Sequence, residues 1–227
     1  MSMKKLFSLD GKVALITGGS RGIGFMMAQG LVEYGAKVYI AARKTAEVEA
    51  AAAELSKVGT CIALTADLGT EAGCNALAAE IMEREEKLHI LINNAGANWG
   101  APLAEFPDAA WDKVLALNVK GVFHLTRTLV PHLEKAAAAG DPARVINIGS
   151  VDGLHVPGLE TYAYSASKAG LHHMTRVLAR RLARDHINVN AVAPGPFQSK
   201  MMAATIARAG DALKKSIPRQ RIGEPSD

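Results

Sequence analysis

From Val13 onward, short apolar runs rich in Val and Ile alternate with Ala-rich stretches of helical length. Six runs read as strands: Val13 to Thr17, Ala36 to Ala41, Cys61 to Thr65, Ile90 to Asn93, Arg144 to Ile148 and Ile187 to Ala193. They are nearly continuous in apolar residues, as expected of parallel strands covered on both faces. Helices are predicted at Gly22 to Tyr34, Ala46 to Val58, Glu71 to Glu85, Phe106 to Lys135 with a break inside, and Ala163 to Asp185. This alternation predicts repeated βα units, hence an α/β fold with a doubly wound parallel sheet and helices on both faces. No internal repeat or linker interrupts it, so residues 1–227 read as one domain. Gly149 to Thr161 and the segment from Pro194-Gly195-Pro196 are irregular and follow strand C-termini, the edge where open α/β sheets bind ligands.

Composition narrows the class. About half of the 227 residues are hydrophobic, enough for one sizeable core. The net charge of +4 is spread among acidic residues, which argues against nucleic acid as a partner and suits small anionic groups such as a cofactor's phosphates. Cys61 and Cys74 match no C-x-x-C or metal spacing and read as free thiols in a reducing compartment. The Lys4-Lys5 pair and its short apolar stretch are cut off by Asp10-Gly11-Lys12 before a signal-peptide core forms, and no uncharged run reaches membrane-spanning length. A cytoplasmic protein with no membrane partner is expected.

The first strand runs into Thr17-Gly18-Gly19-Ser20-Arg21-Gly22-Ile23-Gly24 and then a helical pattern. A strand, a glycine-rich turn and a helix N-terminus offer close backbone approach and oriented N–H groups to a pyrophosphate, as in a Rossmann-type dinucleotide site. The order T-G-x-x-x-G-x-G resembles the short-chain dehydrogenase/reductases. The resemblance extends from about Leu9 to the last residues. Around Thr17 to Gly24, Ala143 to Ser150 and Ile187 to Gly195 it is strongest to bacterial β-ketoacyl reductase-like members, the rhamnolipid type included.

The second strand ends Ala41-Ala42-Arg43, with no acid where a carboxylate would bond the adenosine ribose of NAD. Arg43 and Arg21 are placed to clamp a 2′-phosphate, so NADP is the cofactor favoured over NAD; the alternative is two solvated arginines. The resemblance adds Asp67 and Leu68 at the adenine, Asn94, Ala95 and Gly96 of Asn93-Asn94-Ala95-Gly96, and Pro194 and Gly195. Asp67 equally suits a plain turn or a helix cap.

Tyr164 and Lys168 stand four residues apart at the start of a predicted helix, on one face. Alone this pair is a weak pattern. With Ser150 at the end of the fifth strand and Asn118 in the preceding helix, it completes the catalytic set that the resemblance implies. Hydride delivery to a carbonyl carbon leaves charge on oxygen that must be protonated near neutral pH. Tyr164 would donate that proton, and the Lys168 ammonium is expected to lower the phenol's pKa. By resemblance, Lys168 also bonds the nicotinamide ribose, Ser150 holds the substrate oxygen, and Asn118 positions a relay water. Asn118 equally suits bonding to backbone at a helix irregularity. Tyr162 lacks a paired lysine and reads as a packing or pocket-lining residue.

No metal is expected, because the adjacent His172 and His173 point about 100° apart and read as pocket or surface residues. Arg176, Arg180 and Arg184 form a stripe read as a solvated face, with docking of an acidic carrier protein the lesser alternative. Residues 195–220, with Phe197, Met201 and Met202, read as a substrate loop, and Asp152 as a hint of a polar ligand.

NADPH-dependent reduction of a carbonyl to a secondary alcohol follows, with a 3-oxoacyl thioester the leading substrate. Sugar-acid, polyol or steroid oxidoreduction by the same residues, and cofactor binding without turnover, remain as alternatives. The resemblance further implies a homo-oligomer, dimer or tetramer. It also implies a helix and a seventh strand after Gly223-Glu224-Pro225-Ser226-Asp227, so the sheet is expected to lack its C-terminal strand, leaving the sixth as an open edge.

Overall fold

The computed structural model describes residues 7–227, so the Lys4-Lys5 pair lies outside the described residues. Six strands, β1 (Val13–Thr17), β2 (Lys37–Ala42), β3 (Cys61–Thr65), β4 (Ile90–Asn93), β5 (Ala143–Ile148) and β6 (Ile187–Val192), form one parallel sheet in the order β3-β2-β1-β4-β5-β6. Among the described residues β6 is an edge strand, with Asn188, Asn190, Ala191 and Val192 exposed.

Because successive strand residues face opposite sides, β1 to β5 each feed two cores, while the edge strand β6 feeds one. Leu15, Tyr39, Leu64, Leu91, Val145 and Val189 belong to one. It is covered by α3 (Glu71–Arg84) and α5 (Val122–Ala136) through Leu77, Ile81, Leu125, Leu129 and Leu133, with Leu182 from α6 (Tyr162–Leu182). Ala14, Ile16, Val38, Ile40, Ile90 and Ile92 face the other, under Ala28 and Val32 of α1 (Gly22–Glu33) and Val48, Ala52 and Leu55 of α2 (Thr45–Leu55). Burial on both faces is why β1, β2 and β4 read as nearly unbroken apolar runs. Cys61 and Cys74 are free and buried, and burial pushes both thiols up to about 11.

The break expected within Phe106 to Lys135 is real. A 3-10 turn (Leu103–Glu105) precedes α4 (Asp108–Leu115), and a π-helical turn (Ala116–Gly121) joins α4 to α5. The region expected as a loop over 195–220 contains a 14-residue helix, α7 (Ala203–Ser216). Its only large apolar residues, Ile206 and Leu213, are too sparse to signal it by periodicity.

Candidate active site

The loops at the C-terminal ends of β1, β4, β5 and β6 converge across the point where the strand order reverses between β1 and β4. In doubly wound sheets this crevice receives the dinucleotide. Gly18 and Gly22 adopt φ of +67° and +56°, a region side chains avoid. A Cβ at Gly18 would meet Asn94 Nδ2 at 2.9 Å, and one at Gly24 would overlap the Gly18 carbonyl. The turn is thus bare backbone at the N-terminus of α1, with Arg21 as N-cap and Ser20 and Ile23 partly exposed beside it. A pyrophosphate fits this cradle.

Thr17 links the turn to the second half of the sheet. Its Oγ1 accepts the Asn94 and Ala95 amides at 2.9 and 3.0 Å, while Asn94 Nδ2 donates to the carbonyls of Thr17 and Gly18 at 2.9 and 3.1 Å. Asn94 is therefore a brace between β1 and β4 rather than a plain turn former. Asn93, one residue earlier, is buried and donates to Asn147 Oδ1 at 2.9 Å.

Arg43 lies exposed after β2, and Arg21 reaches Glu47 Oε2 at 2.7 Å. Lys44 Nζ holds the other Glu47 oxygen, also at 2.7 Å. Position 43 carries no acid, as read from the sequence, but α2 returns one to the cluster. The neighbouring cations, Lys44 foremost, hold the Glu47 carboxyl below its ordinary range. Lys44 and Glu47 are functional candidates that strand-end reasoning missed. Asp67 is exposed and its Oδ1 accepts the Gly69 amide at 3.1 Å, the turn role left open above. The Leu68 side chain is buried in the core, so only its backbone can face a ligand. Pro194 accepts the Val151 amide at 3.2 Å, Gly195 is exposed, and Ser199 approaches Gly22 closely enough that a Cβ there would lie 3.3 Å away.

Asn118, Ser150, Tyr164 and Lys168, the four residues the resemblance groups as a catalytic set, lie beside the loops after β4 and β5. Gly96 sits between two of them: a Cβ there would lie 3.4 Å from Asn118 Oδ1 and 3.8 Å from Lys168 Nζ. Ser150 follows β5 by two residues, and its Oγ accepts the Asp152 amide at 3.1 Å. Lys168 is 4% exposed, donates to the Ile148 carbonyl at 2.7 Å and lies 5.5 Å from the Tyr164 ring centre. Burial lowers its pKa to about 8. The Tyr164 phenol stands above its ordinary value, contrary to the expectation that the ammonium lowers it. Burial raises it, the Ser150 hydrogen bond opposes that, and the Asp152 carboxylate adds to it. Asp152 is itself raised by burial.

Asn118 lies in the π-helical turn and is fully buried. Its Oδ1 accepts the Ala97 amide at 2.8 Å, and its Nδ2 donates to Ala97 O at 2.9 Å and Ser167 Oγ at 3.0 Å. Both amide hydrogens are used, so the side chain has no donor left for the relay water the resemblance implies. It clamps the segment after β4 to α6. Tyr162 donates to Glu160 at 2.8 Å and packs edge-on against Phe106, a packing residue as read. His173 is exposed, and His172 is half-buried against Ser150. Arg176, Arg180 and Arg184 are exposed, while Asp185 pairs with Arg181 at 2.7 Å rather than with the stripe. No helix among the described residues is long and apolar enough to cross a membrane.

Comparison with known proteins agrees with this crevice. The family model described as short chain dehydrogenase matches residues 12–209. A rhamnolipids biosynthesis 3-oxoacyl-[acyl-carrier-protein] reductase of Pseudomonas aeruginosa is 49% identical, over 99% of this chain and 89% of that protein. A 5-keto-D-gluconate 5-reductase of Escherichia coli is 34% identical, over 99% and 88%. Among solved structures, the Pseudomonas aeruginosa RhlG/NADP active-site complex superposes with a TM-score of 0.94 at 50% identity, covering 97% of this chain and 87% of that one. With its glycine turn, its β1/β4 crevice and this breadth of similarity, the chain belongs to the short-chain dehydrogenase family.

Proposed function

We propose that this protein reduces a carbonyl to a secondary alcohol with NADPH, acting on a 3-oxoacyl thioester. The observation that carries the reading is the convergence of Ser150, Tyr164 and Lys168 one loop away from a glycine cradle. The 49% identical relative named for 3-oxoacyl-[acyl-carrier-protein] reduction supports the substrate class, and the similar solved complex with NADP supports the cofactor.

Gly18 to Gly24 hold the pyrophosphate and Asn94 to Gly96 border the cofactor, with Asp67, the Leu68 backbone, Pro194 and Gly195 completing the cleft. Arg21 and Arg43, with Lys44, meet the 2′-phosphate. Bound NADPH supplies the hydride. Ser150 Oγ–H and the Tyr164 hydroxyl hold the carbonyl oxygen, and Tyr164 gives its proton to that oxygen as charge develops. The raised phenol pKa keeps this proton in place at neutral pH until the oxygen becomes basic. Below about pH 8 the Lys168 ammonium stabilises the tyrosinate left behind. Asn118 fixes the floor between the β4 loop and α6.

The whole chain acts as one dinucleotide-binding domain, with residues 195–220 covering the substrate and the protein working as a homo-oligomer in the cytoplasm. Comparing NADPH consumption with acetoacetyl thioester and with 5-ketogluconate tests the substrate. Faster turnover of the thioester is expected, and preference for the ketogluconate would overturn it. Native mass measurement tests the assembly, where a monomer would count against it.

A further inference from the structure

We propose that His172 is a positioning residue that holds Ser150 in register with Tyr164 and Lys168; this rests on the reading of Ser150 as a donor to the substrate oxygen. Tyr164, Lys168 and His172 follow one another at four-residue intervals on α6 and share one stripe of the helix. The second and third both grip the segment that carries Ser150. Lys168 Nζ donates to Ile148 O at 2.7 Å, and His172 Nε2 lies 3.1 Å from the Ser150 carbonyl oxygen and 3.5 Å from its nitrogen. Either neutral tautomer thus has a partner on Ser150: Nε2–H donates to the carbonyl, or bare Nε2 accepts the amide.

The turn is shaped around this ring. A Cβ at Gly149 would overlap the His172 imidazole, and one at Gly153 would lie 3.0 Å from its Cδ2 and 2.7 Å from the Lys168 carbonyl carbon. Glycines on both sides of Ser150 therefore let α6 approach the loop closely enough for the contact. Ser150 otherwise stands in extended backbone at φ −166°, between a strand end and the short 3-10 turn Val151–Gly153. The histidine ties that corner to the helix bearing the proton donor. Displacing a reacting group by about 1 Å can cost a hundred-fold in rate.

The test is a double-mutant cycle on kcat, using the better carbonyl substrate from the comparison above. His172→Phe fills the same space without the hydrogen bond, and His172→Leu is a second such side chain should Phe not fold. Either is expected to lower kcat roughly ten- to hundred-fold, with NADPH affinity, followed by its fluorescence, and Tm little changed. His172→Gln, whose amide reaches the same backbone groups, restores most of the loss. In a Ser150→Ala background His172→Phe changes kcat less than about two-fold, because the residue it positions is gone. An equal loss in both backgrounds, or an unchanged kcat in the single variant, overturns the proposal. If Ser150→Ala alone leaves kcat unchanged, the reading of Ser150 fails first and the role of His172 with it.

Discussion

Burial acts in opposite senses on the two groups at the start of α6, raising the Tyr164 phenol and lowering the Lys168 ammonium to about 8. Reduction needs the phenol protonated and the lysine charged. Both conditions hold at neutral pH, and the second fails first as pH rises. The rate of reduction should therefore be level below pH 7 and fall through about pH 8, a descending limb read from kcat between pH 6 and 10. A profile flat to pH 10 would contradict the role of Lys168. Tyr164→Phe should remove turnover by at least about a hundred-fold, the scale of a lost general acid, while NADPH still binds. Cofactor choice is also set by single residues. Arg43→Asp should weaken NADPH far more than NADH in fluorescence titrations, and Glu47→Gln, which frees Arg21 and Lys44 from their shared carboxylate, should tighten NADPH binding with NADH unaffected. Equal shifts for both cofactors would remove these residues from the 2′-phosphate site.

At the scale of elements, the strands were the most legible feature, because double burial leaves unbroken apolar runs and glycines punctuate their ends. Three of the six, β1, β3 and β4, match the expected bounds at both ends. The interruption before α5 was also legible, though not its π-helical form or the use Asn118 makes of it. Three hydrogen bonds from one buried side chain depend on where Ala97 and Ser167 come to lie, which no local pattern encodes. His172 escaped for the same reason: only the approach of α6 to the β5 loop distinguishes it from His173. Asn118→Ala leaves the Ala97 amide and carbonyl without these partners and should destabilise the protein by about 2–4 kcal/mol, visible as a lower Tm as well as lost activity. A Tm equal to wild type would show the clamp to be unimportant for stability.

Across the whole molecule, the dinucleotide crevice is the seam where β1 meets β4, so cofactor and fold should stabilise each other. NADPH at about a hundred times its Kd should add about 2.7 kcal/mol, a Tm rise of roughly 5–10 °C for a chain of this size. NADH at the same concentration should give less, and equal shifts would argue against selection by the phosphate. The seam also has a kinetic meaning. Asn94 finds Thr17 across 77 residues of chain, and neither half of the cradle's brace exists without the other. Contacts this distant in sequence slow a folding reaction. The braced cradle is therefore complete only once β4 has docked against β1. NADPH can act as a latch on the finished sheet, but not as a template for its first half.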